Sequence, residues 1–373
     1  MDFTLDDDQV AISELAGRIL TDQLTTERLK EIEAGDDWFA RDTWAELARA
    51  DLLGLAVPEA YGGGGYGMFE LCLLLEQAGH AVAPLPLLAT LVLGALPLAE
   101  FGTEDRRSEL LPGVVAGEVV LTAALSEGGD GLPPAVPATE ATPDGDGWRI
   151  RGTKVLVPSA HLSQRILVPA RTGGDASTVF LVDPSVEEVS RQVNWSLSLE
   201  PLTTLTFDGV AVTDADVVGT VGGGAEVVAW TTDRAVAGWC ALTAGVCEAA
   251  LRLTAAYTSE RRQFDTPIAT FQAVAQRAAD AYIDTEAVRL TARQAAWRLA
   301  DGRSAAEELA IAKFWAGEGS HRVVHAAQHL HGGIGMDTDY PLHRLFRWAK
   351  HAELALGGST SHLRRLGASL ANA

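Results

Sequence analysis

The sequence predicts an α+β protein of three domains. We expect an N-terminal helical domain over residues 1–118, a middle antiparallel β-barrel or β-sandwich domain over 119–221, and a C-terminal four-helix bundle over 222–373. Apolar residues recur with helical periodicity at both ends of the chain, whereas the middle carries short β-rich runs. The chain has 373 residues and is 47% hydrophobic, which is sufficient for two or three folded cores.

Capping and turn residues mark helices in the N-terminal domain. Thr4 is a candidate cap for the first helix, and three aspartates that suit the positive end of a helix follow it. The apolar run 81–98 is interrupted by three prolines, which would break a membrane-spanning helix. We therefore expect a buried helix with an entry turn there.

The middle and C-terminal domains differ in their periodicity. Short β-rich segments, separated by turns and spaced by roughly ten residues, are typical of an antiparallel barrel or sandwich. These segments are 148–150, 154–157, 165–168, 178–182 and 204–207. Long alanine-rich helices are expected over 225–257, 271–300 and about 304–329, and such helices pack closely as a bundle.

Charge and cysteine content restrict the function classes. A formal net charge of −21 argues against a broad nucleic-acid surface, which needs clustered lysines and arginines. A few local arginines can still hold an anionic ligand. The three cysteines, Cys72, Cys240 and Cys247, lack metal or redox spacing, and no signal peptide is evident. We expect a cytoplasmic protein that binds neither nucleic acid nor membrane.

Three motifs carry a family resemblance along nearly the whole chain. They are 53–63 (LGLAVPEAYGG), 257–272 (YTSERRQFDTPIATFQ) and 329–360, which contains HGGIG, a basic helix-like segment and a second glycine pair. Together with the order of the domains, these segments resemble the acyl-CoA dehydrogenase family. The second motif departs from the family pattern at Asp265, where the family usually has glycine. The resemblance implies the fold of that family and flavin adenine dinucleotide (FAD) as cofactor.

In this family FAD lies across a subunit boundary, with its isoalloxazine ring in one subunit and its pyrophosphate and adenosine in the neighbour's C-terminal bundle. The resemblance implies that Arg261 reaches the pyrophosphate, a task that suits the always-charged, bidentate guanidinium. It implies that Phe264 and Gln272 contact the adenosine half.

The glycine turn of the third motif is the other cofactor element that the resemblance implies. Gly332 and Gly333 match the turn where backbone amides approach the cofactor without an intervening Cβ. His329 occupies the place where the family usually has glutamine, and its imidazole can still make one hydrogen bond. On a helix, His329 would share a face with His321 and His325, but no carboxylate or cysteine completes a ligand set. We expect no metal site.

The catalytic carboxylate of the family is missing from its usual position. Residues 355–358 (ALGG) occupy the turn where a glutamate often acts as the base, and Glu353 is interpreted as a solvated helix charge. A minority of the family, resembling isovaleryl-CoA dehydrogenase, places the base before a helix arginine, and Asp233-Arg234 matches that pair. An aspartate carboxylate would lie about 1.5 Å further from the substrate, which can cost on the order of 100-fold in rate. A purely structural role for Asp233 stays open.

The β-domain segments that bind the flavin ring in this family are also altered. Segments 121–130 (LTAALSEGGD) and 154–160 (KVLVPSA) lack the usual indole and most hydroxyl donors, and Pro158 removes a backbone donor. This pattern resembles the second subunit of heteromeric α2β2 acyl-CoA dehydrogenases of actinobacteria, which act on sterol-derived CoA thioesters. The resemblance implies a subunit that completes a partner's FAD site during α,β-dehydrogenation of an acyl-CoA.

Two alternatives remain open. One is a self-sufficient homotetrameric acyl-CoA dehydrogenase that uses Asp233 as its base. The other is a flavin-free structural or regulatory relative, against which the retention of Arg261, Phe264 and Gln272 argues.

Overall fold

The computed structural model describes residues 4–129 and 131–371. Asp130, the last residue of segment 121–130, lies outside the described residues. The same holds for residues 1–3 of the predicted N-terminal domain and 372–373 of the predicted C-terminal domain. The helices before residue 118 are α1 (Asp7–Gln23), α2 (Thr26–Glu33), α3 (Arg41–Arg49), α4 (Met68–His80), α5 (Leu96–Phe101) and α6 (Glu104–Val115).

The cap of α1 differs from the expected one. Asp6 rather than Thr4 is the N-cap, because its carboxylate accepts a hydrogen bond from the Gln9 backbone N–H at 2.9 Å. The Gln9 side chain in turn accepts from the Asp6 backbone N–H at 3.2 Å. This reciprocal capping box satisfies two N–H groups that a helix end would otherwise leave unpaired.

The proline-interrupted apolar run folds as predicted, into a buried helix rather than a membrane span. Leu88–Ala95 forms a π-helix in which every residue is buried, and α5 follows with Pro97 in its first turn. Among the described helices, Gly224–Glu260 alone is long and apolar enough to cross a membrane, but 78% of its most apolar window is buried in the protein. Burial of that extent is typical of a core helix.

The middle segment forms one eight-stranded mixed sheet. Its strand order is β6-β7-β3-β2-β4-β5-β8, and β1 pairs with β4. The strands are β1 (Leu121–Ala123), β2 (Glu140–Asp144), β3 (Gly147–Pro158), β4 (Arg165–Gly173), β5 (Ala176–Val182), β6 (Val189–Trp195), β7 (Pro201–Thr213) and β8 (Val217–Val218).

The α+β fold class is confirmed, although the description of the sheet as a barrel or sandwich was loose. No pairing between described residues joins β6 to β8, so the sheet stays open. The pairings β1–β4 and β2–β4 are parallel, whereas the others are antiparallel. Phe180, Ile150 and Leu205 lie at the centre of the apolar core on the sheet and are inaccessible to solvent.

The C-terminal segment is helical, as predicted. Its helices are α7 (Gly224–Glu260), α8 (Gln272–Ala300), α9 (Ala306–His331), α10 (Leu342–Leu354) and α11 (Ser359–Ala371), and a short hairpin of β9 (Arg262–Gln263) and β10 (Thr266–Pro267) separates α7 from α8. Helix α9 packs against α8, α10 and α11. Glycines permit close helix contacts, since a Cβ at Gly245 of α7 would overlap the Glu76 carbonyl oxygen of α4.

The chain folds into two compact units. One contains the described residues up to Ala34, Cys72–Ala83 and the chain from Val236 onward, and the other contains Gly35–Leu71 and Pro84–Ala235. The division into domains 1–118, 119–221 and 222–373 stays a prediction.

Candidate functional site

Arg261 lies immediately after α7, at the base of the β9–β10 hairpin. Its backbone N–H donates to the Tyr257 carbonyl at 2.8 Å, and its own carbonyl accepts from the Ile268 N–H at 2.8 Å. The backbone is thus fixed, while the side chain is exposed. No hydrogen bond or ion pair joins its guanidinium to another side chain in the described part of the molecule. Arg261 is therefore available to an anion.

The tip of the hairpin is a two-residue left-handed turn. Phe264 and Asp265 have φ angles of 51° and 63°, the conformation that a tight hairpin requires at both positions. Aspartate tolerates positive φ better than most residues, which explains how Asp265 can stand where the family usually has glycine. The Arg262 guanidinium donates to the Asp265 carbonyl at 2.6 Å and holds the turn.

The turn presents the Phe264 ring to solvent. This ring is 90% exposed and meets the edge of Phe271 at a centroid distance of 6.4 Å. Gln272, the first residue of α8, directly follows Phe271 and is also exposed. The structure thus brings the two predicted adenosine contacts, Phe264 and Gln272, to the same short segment. An aromatic ring exposed to this extent suits a surface that contacts another molecule.

The glycine turn ends α9 and is open to solvent. Gly332 has φ 62° and ψ −137°, a conformation essentially restricted to glycine. A Cβ placed on either Gly332 or Gly333 would meet nothing within 4 Å. Open space beside an exposed backbone is what the predicted close approach of a cofactor needs.

His329 is exposed on the last turn of α9, and its neighbour Gln328 reaches the glycine turn instead. The Gln328 amide donates to the Gly332 carbonyl at 3.5 Å, and a Cβ on Gly335 would lie 2.7 Å from that amide nitrogen. The sequence pattern does not reveal Gln328, because the family register assigns the position of the amide to His329.

A second group that the motifs do not single out is centred on His331, which is 4% exposed. Its ring stacks on Tyr257 at a centroid distance of 4.4 Å and an interplanar angle of 19°. Its Nδ1 lies 2.8 Å from the Ala327 carbonyl oxygen, and its Nε2 lies 3.0 Å from the Tyr340 hydroxyl. Burial lowers the pKa of His331, which favours the neutral ring.

The histidines of α9 show no metal-binding arrangement. Within residues 4–129 and 131–371, no three His, Cys, Asp or Glu side chains are placed to share a metal ion. The His321 and His325 rings lie 4.3 Å apart, and His321 Nδ1 is 3.0 Å from the Lys350 ammonium nitrogen. Lys350 also pairs with Glu353 at 2.5 Å, so Glu353 takes part in a local charge network.

The turn that usually carries the family's base is formed here without a carboxylate. Leu356 adopts a left-handed φ of 51°, and its carbonyl oxygen lies 2.9 Å from His362 Nε2. Before the turn, the buried Lys313 ammonium donates to the Ala352 carbonyl at 2.7 Å. Burial lowers the pKa of Lys313 to about 8. These contacts fix the turn, but its residues offer no proton acceptor for catalysis.

Asp233 lies on α7 and is partly buried. The guanidinium of the next residue, Arg234, lies 3.3 Å from the centroid of the Trp230 ring and donates to the Trp230 carbonyl at 3.1 Å. Burial lowers the pKa of Arg234 to about 10, while Glu100 and Asp233 oppose that shift. Arg234 is therefore held by aromatic packing within its own helix, with Asp233 as a neighbouring charge.

The altered β-domain segments are joined by a buried ion pair. The Lys154 ammonium, which is inaccessible to solvent, donates to Glu127 at 2.6 Å. Glu127 also accepts the backbone N–H groups of Ala138 at 2.5 Å and Thr139 at 2.9 Å. Burial opposes ionisation of Glu127, but the hydrogen bonds from Lys154 and Thr139 bring its pKa below the ordinary value. The pair gives this part of the sheet a rigid internal anchor.

The residues after Lys154 supply few polar groups for a flavin ring. Leu156 is 53% exposed with φ 55°, Pro158 has no N–H to donate, and the Ser159 hydroxyl is buried. The exposed Arg261 and the open glycine turn, by contrast, suit a pyrophosphate and adenosine. The donor chemistry of the described residues therefore suits the adenosine half of FAD better than the ring half.

Comparisons with known proteins identify the family of this chain. The model of the acyl-CoA dehydrogenase N-terminal domain matches residues 6–118, and that of the C-terminal domain matches residues 222–371. FadE27 of Mycobacterium tuberculosis is 38% identical over 380 residues, which cover 100% of this chain and 99% of the relative. The chain therefore belongs to the acyl-CoA dehydrogenase family.

Two solved structures are similar over their full length. A variant of the Tcur3481–Tcur3483 steroid ACAD has a TM-score of 0.91 and 43% identity, with 99% of each chain covered. The ChsE4–ChsE5 complex from Mycobacterium tuberculosis has a TM-score of 0.93 and 38% identity, with 100% of each chain covered.

Proposed function

We propose that this chain is a cytoplasmic subunit of a heteromeric, FAD-dependent acyl-CoA dehydrogenase, and that it completes the FAD site of a homologous partner without supplying the base. The observation that carries the proposal is the contrast between two parts of the chain. The exposed, unpaired Arg261 and the open Gly332–Gly333 turn suit the adenosine end of FAD. Segment 154–160 lacks the usual indole and most hydroxyl donors for the ring, and residues 355–358 lack the acid.

Each residue has a defined task in the proposed site. Arg261 would bind the pyrophosphate through parallel N–H donors, and Phe264 and Gln272 would hold the adenosine. The glycine turn would let the cofactor approach the backbone, with His329 beside it. FAD supplies the hydride acceptor when bound. The α-proton of the substrate would be taken by a carboxylate of the partner subunit, since residues 355–358 provide none.

The substrate class follows from the relatives. One similar structure is described as a steroid ACAD and another as a complex of two different chains, which supports an α2β2 assembly acting on a sterol-derived acyl-CoA. The reaction would be α,β-dehydrogenation, in which the thioester substrate loses a proton and a hydride from adjacent carbons.

A self-sufficient enzyme is the second candidate, and one observation favours it. Asp233 is partly buried beside Arg234, which is the order that a helix-borne base of this family requires. The shorter aspartate side chain argues against full activity, because displacing a base by about 1 Å can cost on the order of 100-fold in rate. The flavin-free alternative does not account for the open cofactor elements at Arg261 and Gly332.

Co-expression tests the proposal. The chain would be produced alone and together with a homologous family member from the same source, and FAD would be quantified by absorbance in each purified sample. We expect the chain alone to retain little flavin and the complex to hold one FAD for each pair of unlike subunits. A yellow protein that dehydrogenates acyl-CoA in the absence of the partner would refute the proposal.

A matched pair of variants tests the task of Arg261. Arg261→Ala should lower the FAD content of the complex, because loss of a charge-assisted contact typically costs about 1.5–3 kcal/mol. Arg18→Ala removes the same exposed charge from α1 and should leave the FAD content unchanged. Equal FAD content in both variants would contradict the role assigned to Arg261.

A further inference from the structure

Two segments that carry family motifs, 257–272 and 329–360, meet at His331. Tyr257, one helical turn before Arg261, stacks on the His331 ring. Tyr340, in the loop before α10, contacts the far edge of the ring and meets Tyr257 edge-on at 6.3 Å. His331 itself directly precedes Gly332. The ring therefore joins the end of α7 to the end of α9, at the point where the residues that follow each helix become exposed.

The hydrogen bonds fix the tautomer of the ring. The Ala327 carbonyl oxygen can only accept, so Nδ1 must carry the hydrogen in that 2.8 Å contact. In a neutral imidazole Nε2 is then an acceptor, and the Tyr340 hydroxyl must donate to it at 3.0 Å. Burial raises the pKa of Tyr340 and so preserves the hydroxyl as a donor. Both polar edges of His331 are thereby satisfied within the protein.

His331 and the glycine pair that follows it differ sharply in exposure to solvent. His331 is buried and held on three sides, whereas Gly332 and Gly333, which follow it directly, are exposed with open space around them. A glycine pair has little conformational restraint of its own, so its position depends on the residues that flank it. The anchored ring therefore fixes the chain directly before the turn, in addition to the contact of Gln328 with the Gly332 carbonyl.

We propose that His331 is a positioning residue, which holds the Gly332–Gly333 turn in a fixed place relative to Arg261 through its contacts with Tyr257 and Tyr340. This inference rests on the proposed function, since it supposes that both elements bind one FAD molecule. It also assigns a task to Tyr340, whose hydroxyl would act on cofactor affinity without touching the cofactor. Neither residue would take part in proton transfer.

The test measures FAD affinity of the complex for three variants. Tyr340→Phe keeps the ring and removes the hydroxyl, and His331→Asn keeps a donor for Ala327 but loses the acceptor for Tyr340. Each should raise the Kd for FAD by roughly two- to ten-fold, the effect of one lost neutral hydrogen bond. His331→Gln places an amide oxygen near the Nε2 position and should recover part of the affinity. A merely structural residue would not show this rescue.

The control is Tyr61→Phe, which removes a hydroxyl that donates to Glu104 at 2.8 Å within the other compact unit. It should leave the Kd unchanged. Unaltered affinity in both Tyr340→Phe and His331→Asn would overturn the inference.

Amide hydrogen exchange of the FAD-free complex separates failure of the inference from failure of the proposed function. Exchange at residues 332–336 should accelerate in Tyr340→Phe, because the anchor of the turn is loosened. Unchanged exchange there would overturn the anchoring role, whether or not flavin binds. A wild-type complex that binds no FAD, while exchange still responds to Tyr340→Phe, would overturn the proposed function instead.

Discussion

Replacing Glu127 by glutamine is expected to destabilise the β-sheet unit in a pH-dependent way. Ala138 donates to one carboxylate oxygen and Thr139 to the other, so the single amide oxygen of glutamine keeps an acceptor for only one of these N–H groups, and the substitution also removes the negative charge. The Lys154 ammonium, which is inaccessible to solvent, then has no carboxylate. Removing one partner of a buried ion pair typically costs about 3–5 kcal/mol.

Loss of the Lys154 proton costs a similar free energy and makes the stability of the variant depend on pH. Lys154 can avoid the buried charge by losing its proton. At pH 7, roughly 3.5 units below the ordinary pKa of lysine, deprotonation costs about 1.4 kcal/mol per unit, or about 5 kcal/mol. The unfolded chain keeps this proton, so the unfolded state binds more protons than the native state. Stability of the variant should therefore rise with pH by about 1.4 kcal/mol per unit.

Urea unfolding at pH 7, 8 and 9 measures both effects. The loss of unfolding free energy in Glu127→Gln relative to wild type should shrink as the pH rises. The double variant Glu127→Gln/Lys154→Met should recover much of that free energy. Glu140→Gln, which breaks the exposed pair with Arg171 on neighbouring strands, is the control and should cost less than about 1 kcal/mol. A pH-independent deficit, or one as small as that of the control, would refute the reasoning.

Three further outcomes are expected. Gly245→Ala should lower the thermal midpoint markedly, because its Cβ would overlap the Glu76 carbonyl, whereas Gly367→Ala, with open space around it, should stabilise α11 by about 0.5–1 kcal/mol. Burial lowers the pKa of His351 to about 4, so unfolding titrations should show up to about 3 kcal/mol lost between pH 6.5 and 4, and His351→Leu should flatten that loss. Asp233→Asn should leave turnover of the complex unchanged, and loss of activity would favour the self-sufficient enzyme.

The helices and strands could be predicted from the sequence because each depends on local periodicity. The expected helix over 271–300 corresponds to α8 within one residue at its start, and the proline-rich run 81–98 folds into the buried helix that was predicted. The openness of the sheet was not predictable in this way. It depends on which distant strands pair, and periodicity carries no information about pairing partners.

In the candidate site, too, residues close together in the sequence could be predicted, whereas contacts between distant residues could not. Arg261, Phe264 and Gln272 are predicted from a contiguous motif, and the structure places Arg261 and Phe264 on one hairpin and Gln272 at the start of the helix that follows it. His331 belongs to a cluster whose members are separated by 74 and 9 positions in the chain, so only the folded bundle brings them together. The Lys154–Glu127 pair could not be predicted from the sequence, because its residues are 27 positions apart and meet only when the sheet folds.

The exposed hairpin tip would make association of the two subunits depend on the concentration of FAD. In the proposed complex FAD contacts this chain through Arg261 and Phe264, and its other half through the partner, so flavin bridges two chains. A ligand that binds only the assembled form stabilises it by about 2.7 kcal/mol at a hundred-fold excess over its Kd, which is roughly a hundred-fold in association. Scarcity of flavin would then weaken the association of the two subunits by up to that factor, and its return would restore it.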